Sequence, residues 1–420
     1  MKKLFTTILL TSYSLLLFAQ LPDMQFYREN NKNGLNIFEP SKKDTVNFEG
    51  LKVRLGGDFA MQFQGINQRN EADNLVNLGT NFNLPAANLN LDVQLIDGVQ
   101  MHLRTYLSSR HHYEAWIKGG HIQMDKLDFV SPGFLEGLMQ YSSIRIGLDE
   151  FNYGDAHFRR SDNARAIFNP FVGNYIMDGF STEAFGEFTF QNKGLLAVVG
   201  ATNGKLNQSV VINDNSDNKP SLYGKLGYDN QLSEDFRLRL TGSWYVNHGT
   251  TTGTWLYGGD RAGSRYYNVM HTENEGGNFD GRFNARFTKI NAFQFNPFIK
   301  YKGLELFGVF EFADGNNDFT DPIDREGSFT QLAADLIYRF GANEQFYVGG
   351  RYNQVSGNFR ESADENLEIR RINAGAGWFL SNNILIKAEY VNQEYLGDAW
   401  GGRFAGAAFE GVVFEAAISF

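Results

Sequence analysis

A mixed-charge segment places Asp155, His157, Arg159, Arg160, Asp162 and Arg165 within eleven residues. Two carboxylates, three guanidiniums and an imidazole at this spacing spell no nucleophile paired with a base. They suit electrostatic selection instead. On a loop folded into an aperture, charges of both signs narrow the path and set a transverse field, as clusters of charge do in pores. The competing reading is a solvated surface loop whose ion pairs are individually weak. Function concentrates in loops held on a rigid scaffold, so residues 153–180 are a candidate constriction loop.

Other groupings carry less chemistry. His111 and His112 with His121 have no carboxylate cluster at ligand spacing, which favours a loop over a metal site. Asp314, Asn316 and Asp318 open like a calcium loop, but Phe319 stands where its glycine belongs and Arg325 where its bidentate glutamate belongs. That leaves only loose calcium or lipopolysaccharide contact at a rim. Asn213 to Asp217 reads as a solvated loop. No Walker loop, nucleophile elbow or zincin motif occurs. The chain has no cysteine, hence no disulfide and no thiolate site. No catalytic residue, metal or cofactor is expected. A net charge of −10 leaves no basic excess to neutralise phosphates, which argues against a nucleic-acid partner.

The elements that must position the segment begin after a leader. Met1-Lys2-Lys3 is a basic start, Leu4 to Phe18 is mostly apolar, and cleavage after Ala19 would put a small residue at the cut. The apolar run falls short of the roughly 20 residues of a transmembrane anchor, so residues 1–19 are read as a cleaved signal. Residues 20–45 are polar and irregular, a periplasmic lead, and residues 46–420 form one domain. With aromatics at 15%, 45 glycines and only 8 prolines, the composition favours long strands joined by turns.

From residue 51 the pattern has period two. Leu51, Val53, Leu55, Phe59, Met61 and Phe63 share one face, while Lys52, Arg54, Asp58 and Gln62 share the other. The same alternation recurs to Val412, Phe414, Ala416, Ile418 and Phe420. We read strands at 51–64, 85–96, 99–110, 114–127, 142–152, 181–191, 194–203, 220–230, 235–247, 290–301, 303–313, 328–340, 345–356, 367–379, 383–395 and 408–420, sixteen in all. The region 248–289 is the least regular, and 264–271 or 279–287 could extend a strand. Soluble sandwiches alternate too. Three features tilt the reading to a transmembrane antiparallel β-barrel. The strands have bilayer-crossing length. Apolar faces often end in aromatics (Trp244, Phe312, Tyr338, Phe340, Trp378, Tyr390), as interface girdles do. Connections alternate short and long, with 128–141 and 111–113 as exceptions. An edge strand in lipid would leave backbone groups unpaired, so the sheet must close.

Two segments and the layout resemble a known family. They are Phe26-Tyr27-Arg28 through Asn33-Gly34-Leu35-Asn36-Ile37-Phe38-Glu39, and Gly154-Asp155-Ala156-His157-Phe158-Arg159-Arg160-Ser161-Asp162-Asn163 followed by Asn169-Pro170-Phe171. With the terminal Phe420, the chain from about residue 46 on is similar to the phosphate-selective porin O and P family, in its Bacteroidetes-type branch. The resemblance implies a sixteen-stranded outer-membrane porin, a homotrimer, and a constriction loop folded into the lumen. It also likens Phe420 to the assembly signal read by the barrel-assembly machinery. The acidic net charge departs from the anion-selective members, and their ladder of pore arginines has no residue-by-residue match here. The expected solutes are therefore small polar or anionic molecules, phosphate among them, with outer-membrane lipid and lipopolysaccharide around the barrel.

Strand parity assigns the lumen wall. Basic residues facing inward are Lys52, Arg54, Arg104, Arg145, Arg237, Arg239, Lys300, Arg339, Arg351, Arg371 and Lys387; acidic ones are Asp58, Asp92, Asp149, Glu305, Glu311, Asp335, Glu389 and Glu415. The arginines among them are the candidate pore wall, and eleven against eight predicts at most a weak anion preference. A register slip of one residue would reverse a strand's assignment. Two other functions compete: a plugged structural or adhesive barrel, and an outer-membrane lipid hydrolase, which would need a Ser–His pair on the lipid-facing surface.

Overall fold

The computed structural model describes residues 21–43, 46–83, 85–108, 115–204, 219–249, 256–258, 265–276, 280–317, 326–360 and 366–420. The signal segment, His111, His112, Asn213 to Asp217, Asp318, Phe319 and Arg325 lie outside them. The wall runs through β1 (Lys52–Arg69), β3 (Ala86–Ile96), β4 (Val99–Ser108), β5 (Trp116–Met124), β6 (Ser142–Glu150), β7 (Thr182–Asn192), β8 (Leu195–Thr202) and β9 (Ser221–Gln231). It continues through β10 (Phe236–Asn247), β11 (Phe287–Tyr301), β12 (Leu304–Asn317), β13 (Glu326–Phe340), β14 (Phe346–Asn358), β15 (Leu367–Ser381), β16 (Ile384–Leu396) and β17 (Ala408–Ser419). A two-residue strand, β2 (Asn81–Phe82), pairs on β1 at Phe63 and Gln64 and takes no place in the wall.

Each wall strand pairs antiparallel with its sequence neighbours, and β1 pairs with β17, so sixteen strands close into one barrel. The seam uses the length of β1: Lys52 to Ala60 pair with β3, and Asp58 to Arg69 pair with β17. At its end Gly57 and Phe420 exchange both backbone hydrogen bonds, at 3.1 Å. Space is tight there, above all at Gly56. A Cβ on Gly56 would lie 2.6 Å from the Phe420 carbonyl oxygen, and one on Gly57 would lie 3.2 Å from its ring.

The two faces are inverted relative to a soluble protein. On β13, Leu332, Leu336, Tyr338 and Phe340 face out and are exposed, while Gln331, Asp335 and Arg339 face in and are buried. Outward aromatics gather in two bands. Near the short-turn end Tyr338, Phe340, Phe346 and Trp378 follow one another at ring separations of 5.7–5.9 Å. Towards the other end Trp244, Phe293 and Phe312 sit side by side in register on β10, β11 and β12. These are the interface girdles expected of strands that cross a bilayer.

Short connections lie at one end. Lys193 and Gly194 join β7 to β8 with both residues in the left-handed region, at φ 51° and 89°, the hairpin geometry that matches strand twist. The exception expected at that end is present. Residues 125–141 form a longer excursion containing the single-turn helix α1 (Glu136–Met139). β11 starts at Phe287, three residues before the expected 290. Residues 265–276 are not a strand; Tyr266, Val269 and Met270 turn into the lumen and are buried there.

Candidate functional site in the lumen

The connection between β6 and β7 folds into the barrel. Asp155 meets the β9–β10 wall. It accepts from Arg239 Nε and Nη2 and from Lys225 Nζ, each at 2.8 Å, and from Thr241 Oγ1 at 2.7 Å. Burial works to raise its pKa, but the two cations outweigh it and hold the carboxyl well below the usual range. Asp162 meets the β4–β5 wall through Arg104 at 3.1 Å, Lys118 at 3.4 Å and the Tyr106 hydroxyl. Burial again opposes these cations, and the carboxyl still falls to about 2. His157 Nδ1 donates to the Tyr153 carbonyl at 3.2 Å. Burial first, and Lys225 after it, push this imidazole down to about 3, so it is neutral near pH 7.

The loop arginines are engaged as well. Arg159 donates to Asn36, lies 3.6 Å from Glu305 and stacks over Phe298 and Phe307. Arg160 pairs with Asp178 at 2.7 Å and lies over the Phe180 ring. Arg165, half-buried, pairs with Glu150 at 3.3 Å. Further along, Lys387 Nζ donates to the carbonyls of Ala166, Asn169 and Phe171 at 2.8–3.0 Å. The Tyr347 hydroxyl donates to Pro170, and Glu389 accepts from the backbone N–H groups of Val172 and Gly173. The loop thus reaches β4, β5, β9, β10, β12, β14 and β16. It crosses the bore rather than fringing it.

All eight wall arginines face the lumen, and each has an acceptor. Arg54 pairs with Glu29 at 2.8 Å, Arg104 with Asp162, Arg145 with Glu187 at 3.4 Å, Arg237 with Asp229 at 2.7 Å, and Arg239 with Asp155 and Glu39. Arg339 pairs with Glu305 at 2.7 Å and Arg351 with Asp335 at 2.6 Å. Arg371 donates to Gln393 and to the carbonyls of Asn174 and Gly281. Counting cations on the wall therefore says little about the field in the bore, because carboxylates of wall, loop and lead all compensate them.

The segment before β1 enters the mouth at the short-turn end. Gln25 bonds to Asp97 and Gly98, Lys32 reaches Asn382 and Asn343, and Lys42 pairs with Asp125 at 2.7 Å. Glu39 lies deeper, 2.7 Å from Arg239 and 3.5 Å from Lys225. Burial works to raise its pKa, but the two cations bring it down to about 2. Two spaces remain. A cavity of about 160 Å³ between lead, loop and wall is lined by Arg28, Asp92, His102, His121, Arg145 and Glu187. The mouth at the short-turn end holds about 520 Å³, lined by Lys32, Arg237, Lys300, Glu305, Arg339 and Glu344.

No family model and no curated protein matches the chain. Solved structures do match. The outer membrane channel DcaP of Acinetobacter baumannii aligns over 89% of this chain and 99% of its own, with TM-score 0.54 and 12% identity. An anion-selective porin from Comamonas acidovorans aligns over 88% of this chain and 100% of its own, with TM-score 0.52 and 12% identity. The outer membrane protein OmpT of Vibrio cholerae, in a loop-deleted form, covers 89% of this chain and 100% of its own at TM-score 0.52 and 9% identity.

The fold is that of the outer-membrane porins.

Within this porin fold several lumen residues escaped the sequence reading. Lys118, Lys225, Glu183 and Glu187 are all buried on the inner face. For Lys225 a signal existed: Leu222 and Leu226 mark the outer face of β9, so Tyr223 and Lys225 must face in. Arg265 and Tyr266 also bind the wall, through Glu415 and Glu389, and nothing in their spacing announced it.

Proposed function

We propose that this chain is an outer-membrane channel of a Gram-negative bacterium, exported with a cleaved signal, through which small polar or anionic solutes diffuse passively. The observation that carries the reading is the inversion of the faces. A closed barrel with an apolar, aromatic-banded exterior and a lumen of paired charges is built to hold water and ions inside a lipid surround. Lipid and lipopolysaccharide surround the barrel, Phe420 serves its recognition by the barrel-assembly machinery, and three copies associate. The loop 153–180 acts as the constriction. Because every wall arginine is matched by an acceptor, the preference between anions and cations is weak, and phosphate passes as one small anion among others. The protein performs no reaction. A lipid hydrolase would need its Ser–His pair on the outer surface, and His102 and His121 both line a lumenal cavity.

One observation favours a second reading, a plugged barrel that anchors rather than conducts: the loop spans the bore from the β4–β5 wall to β16. Single-channel recording in planar bilayers under a salt gradient separates the two. Discrete openings with a small reversal potential support the channel, and phosphate in place of chloride tests the finer solute. Folded, heat-modifiable protein without openings overturns it in favour of the anchor.

A further inference from the structure

Four side chains form a row across adjacent strands inside the lumen: Asp92 on β3, His102 on β4, His121 on β5 and Asp149 on β6. Asp92 stands opposite His102, and His102 opposite His121, in the strand registers. His102 Nδ1 lies 2.6 Å from Asp92 and His121 Nδ1 lies 2.8 Å from Asp149. The carboxylates flank the pair from outside, so both Nδ1 atoms turn away from the midline. That leaves the Nε2 atoms as the free ligating positions of the two neighbouring rings. His102 Nε2 is buried without a hydrogen-bond partner. His121 is held by its 2.8 Å bond to Asp149 and lies beside the His102 ring.

We infer that His102 and His121 form a two-imidazole site for a divalent transition-metal ion such as zinc on the wall of the lumenal cavity. Three observations support it. A histidine that ligates a metal through one nitrogen almost always gives its other N–H to a carboxylate, which fixes the tautomer and raises the basicity of the ligating atom. Here both histidines are held that way. Next, the ring centroids are 5.4 Å apart with planes at 43°. Two imidazoles bound at ~2.0–2.1 Å to one tetrahedral ion would have centroids roughly 5 Å apart. Finally, a buried ring nitrogen with no partner is costly to leave unmade, and a metal ion would supply the missing bond.

Among the described residues no third histidine or carboxylate completes a cage, and the pair opens on the cavity. The remaining coordination positions therefore fall to water or to an anionic solute, and the site is open rather than structural. Gly147 lets β6 pack close against this part of β5. A Cβ there would lie 2.3 Å from the Gly120 carbonyl oxygen and 2.6 Å from the His121 Cβ. The assignment does not depend on whether the barrel conducts.

The test uses the full mature chain without a polyhistidine tag, folded in detergent, with zinc as the probe. Zinc competition against a chromophoric chelator should give one site per chain. His102→Gln or His121→Gln should abolish it, and Asp92→Asn or Asp149→Asn should weaken it by about 10–100-fold. His248→Gln and His271→Gln should leave it unchanged. Zinc X-ray absorption on the unsubstituted protein should show two imidazole nitrogens at ~2.0–2.1 Å, a readout that needs no variant to fold. An oxygen-only shell, or zinc binding unaltered in the folded His102→Gln/His121→Gln double variant, overturns the inference.

Discussion

Arg239 on β10 and Asp155 in the inserted loop are joined by two parallel hydrogen bonds of 2.8 Å, with both side chains buried. Removing the Asp155 charge leaves Glu39 as the nearest carboxylate shared by Arg239 and Lys225, at a cost below the roughly 3–5 kcal/mol of a fully orphaned buried charge. Asp155→Asn should therefore loosen the loop from the β9–β10 wall. We expect larger or more frequent channel openings and an earlier urea transition of the folded form. Conductance and stability both matching the unsubstituted protein would refute the anchoring role.

The lead and the loop should also respond to acid. Glu39 and Asp162 are each held at about 2, against ordinary values of 4.5 and 3.8. A depressed carboxyl contributes stability that is full above its unfolded value and is lost as pH falls through its folded one. Contacts of both segments should weaken as pH drops from about 4.5 towards about 2. Amide exchange of residues 30–43 and 155–165 reports this directly. Stronger protection at the acid end would contradict the assignment.

The outward position of Leu332, half-exposed near the middle of β13, makes a prediction about the lipid belt. An arginine facing lipid near mid-bilayer costs roughly 2–4 kcal/mol. Leu332→Arg should lower folding stability in vesicles by that amount, read from urea titration of the heat-modifiable form. A neutral effect would mean that this face does not meet hydrocarbon.

At the seam, a side chain on Gly56 would meet backbone 2.6 Å away, where neither partner can rotate aside. Gly56→Val should reduce the yield of closed barrel and cost on the order of 1–3 kcal/mol. Gly79→Val, whose Cβ would meet nothing within 4 Å, serves as the control. Equal yields from the two variants would show that the seam is not tight.

Much of the wall was legible because one property, period-two burial, is imposed on every strand by the same inside-out environment. Leu332, Leu336 and Tyr338 could only face one way once the alternation was seen. Lys118 was not legible for a physical reason. The β4–β5 register shifts between Arg104 and Thr105, which pair with Gly119 and Ile117 and leave Lys118 as the extra residue, so a bulge frees it from strand parity. The charged loop was recognisable as charged, but not as filling the bore. Its partners, such as Lys387 for residues 166–171, are more than two hundred residues away. Residues 265–270 lack periodicity altogether, because irregular backbone docked on a wall answers to the wall's pockets, not to a repeat.

The inserted loop leaves the wall at β6 and returns at β7, yet it is bound by β16 and lies inside a ring completed only when β1 meets β17. A tethered segment packed against so many walls is most easily enclosed while the sheet is still open. Contacts between residues far apart in sequence also form late, because they close the largest loops of chain. Assembly therefore has a preferred order. The early hairpins would curl around residues 153–180 as an internal template, and the seam between Gly57 and Phe420 would be the last joint made. A chain that zipped its first and last strands before seating that template would be trapped as an empty, misfilled cylinder.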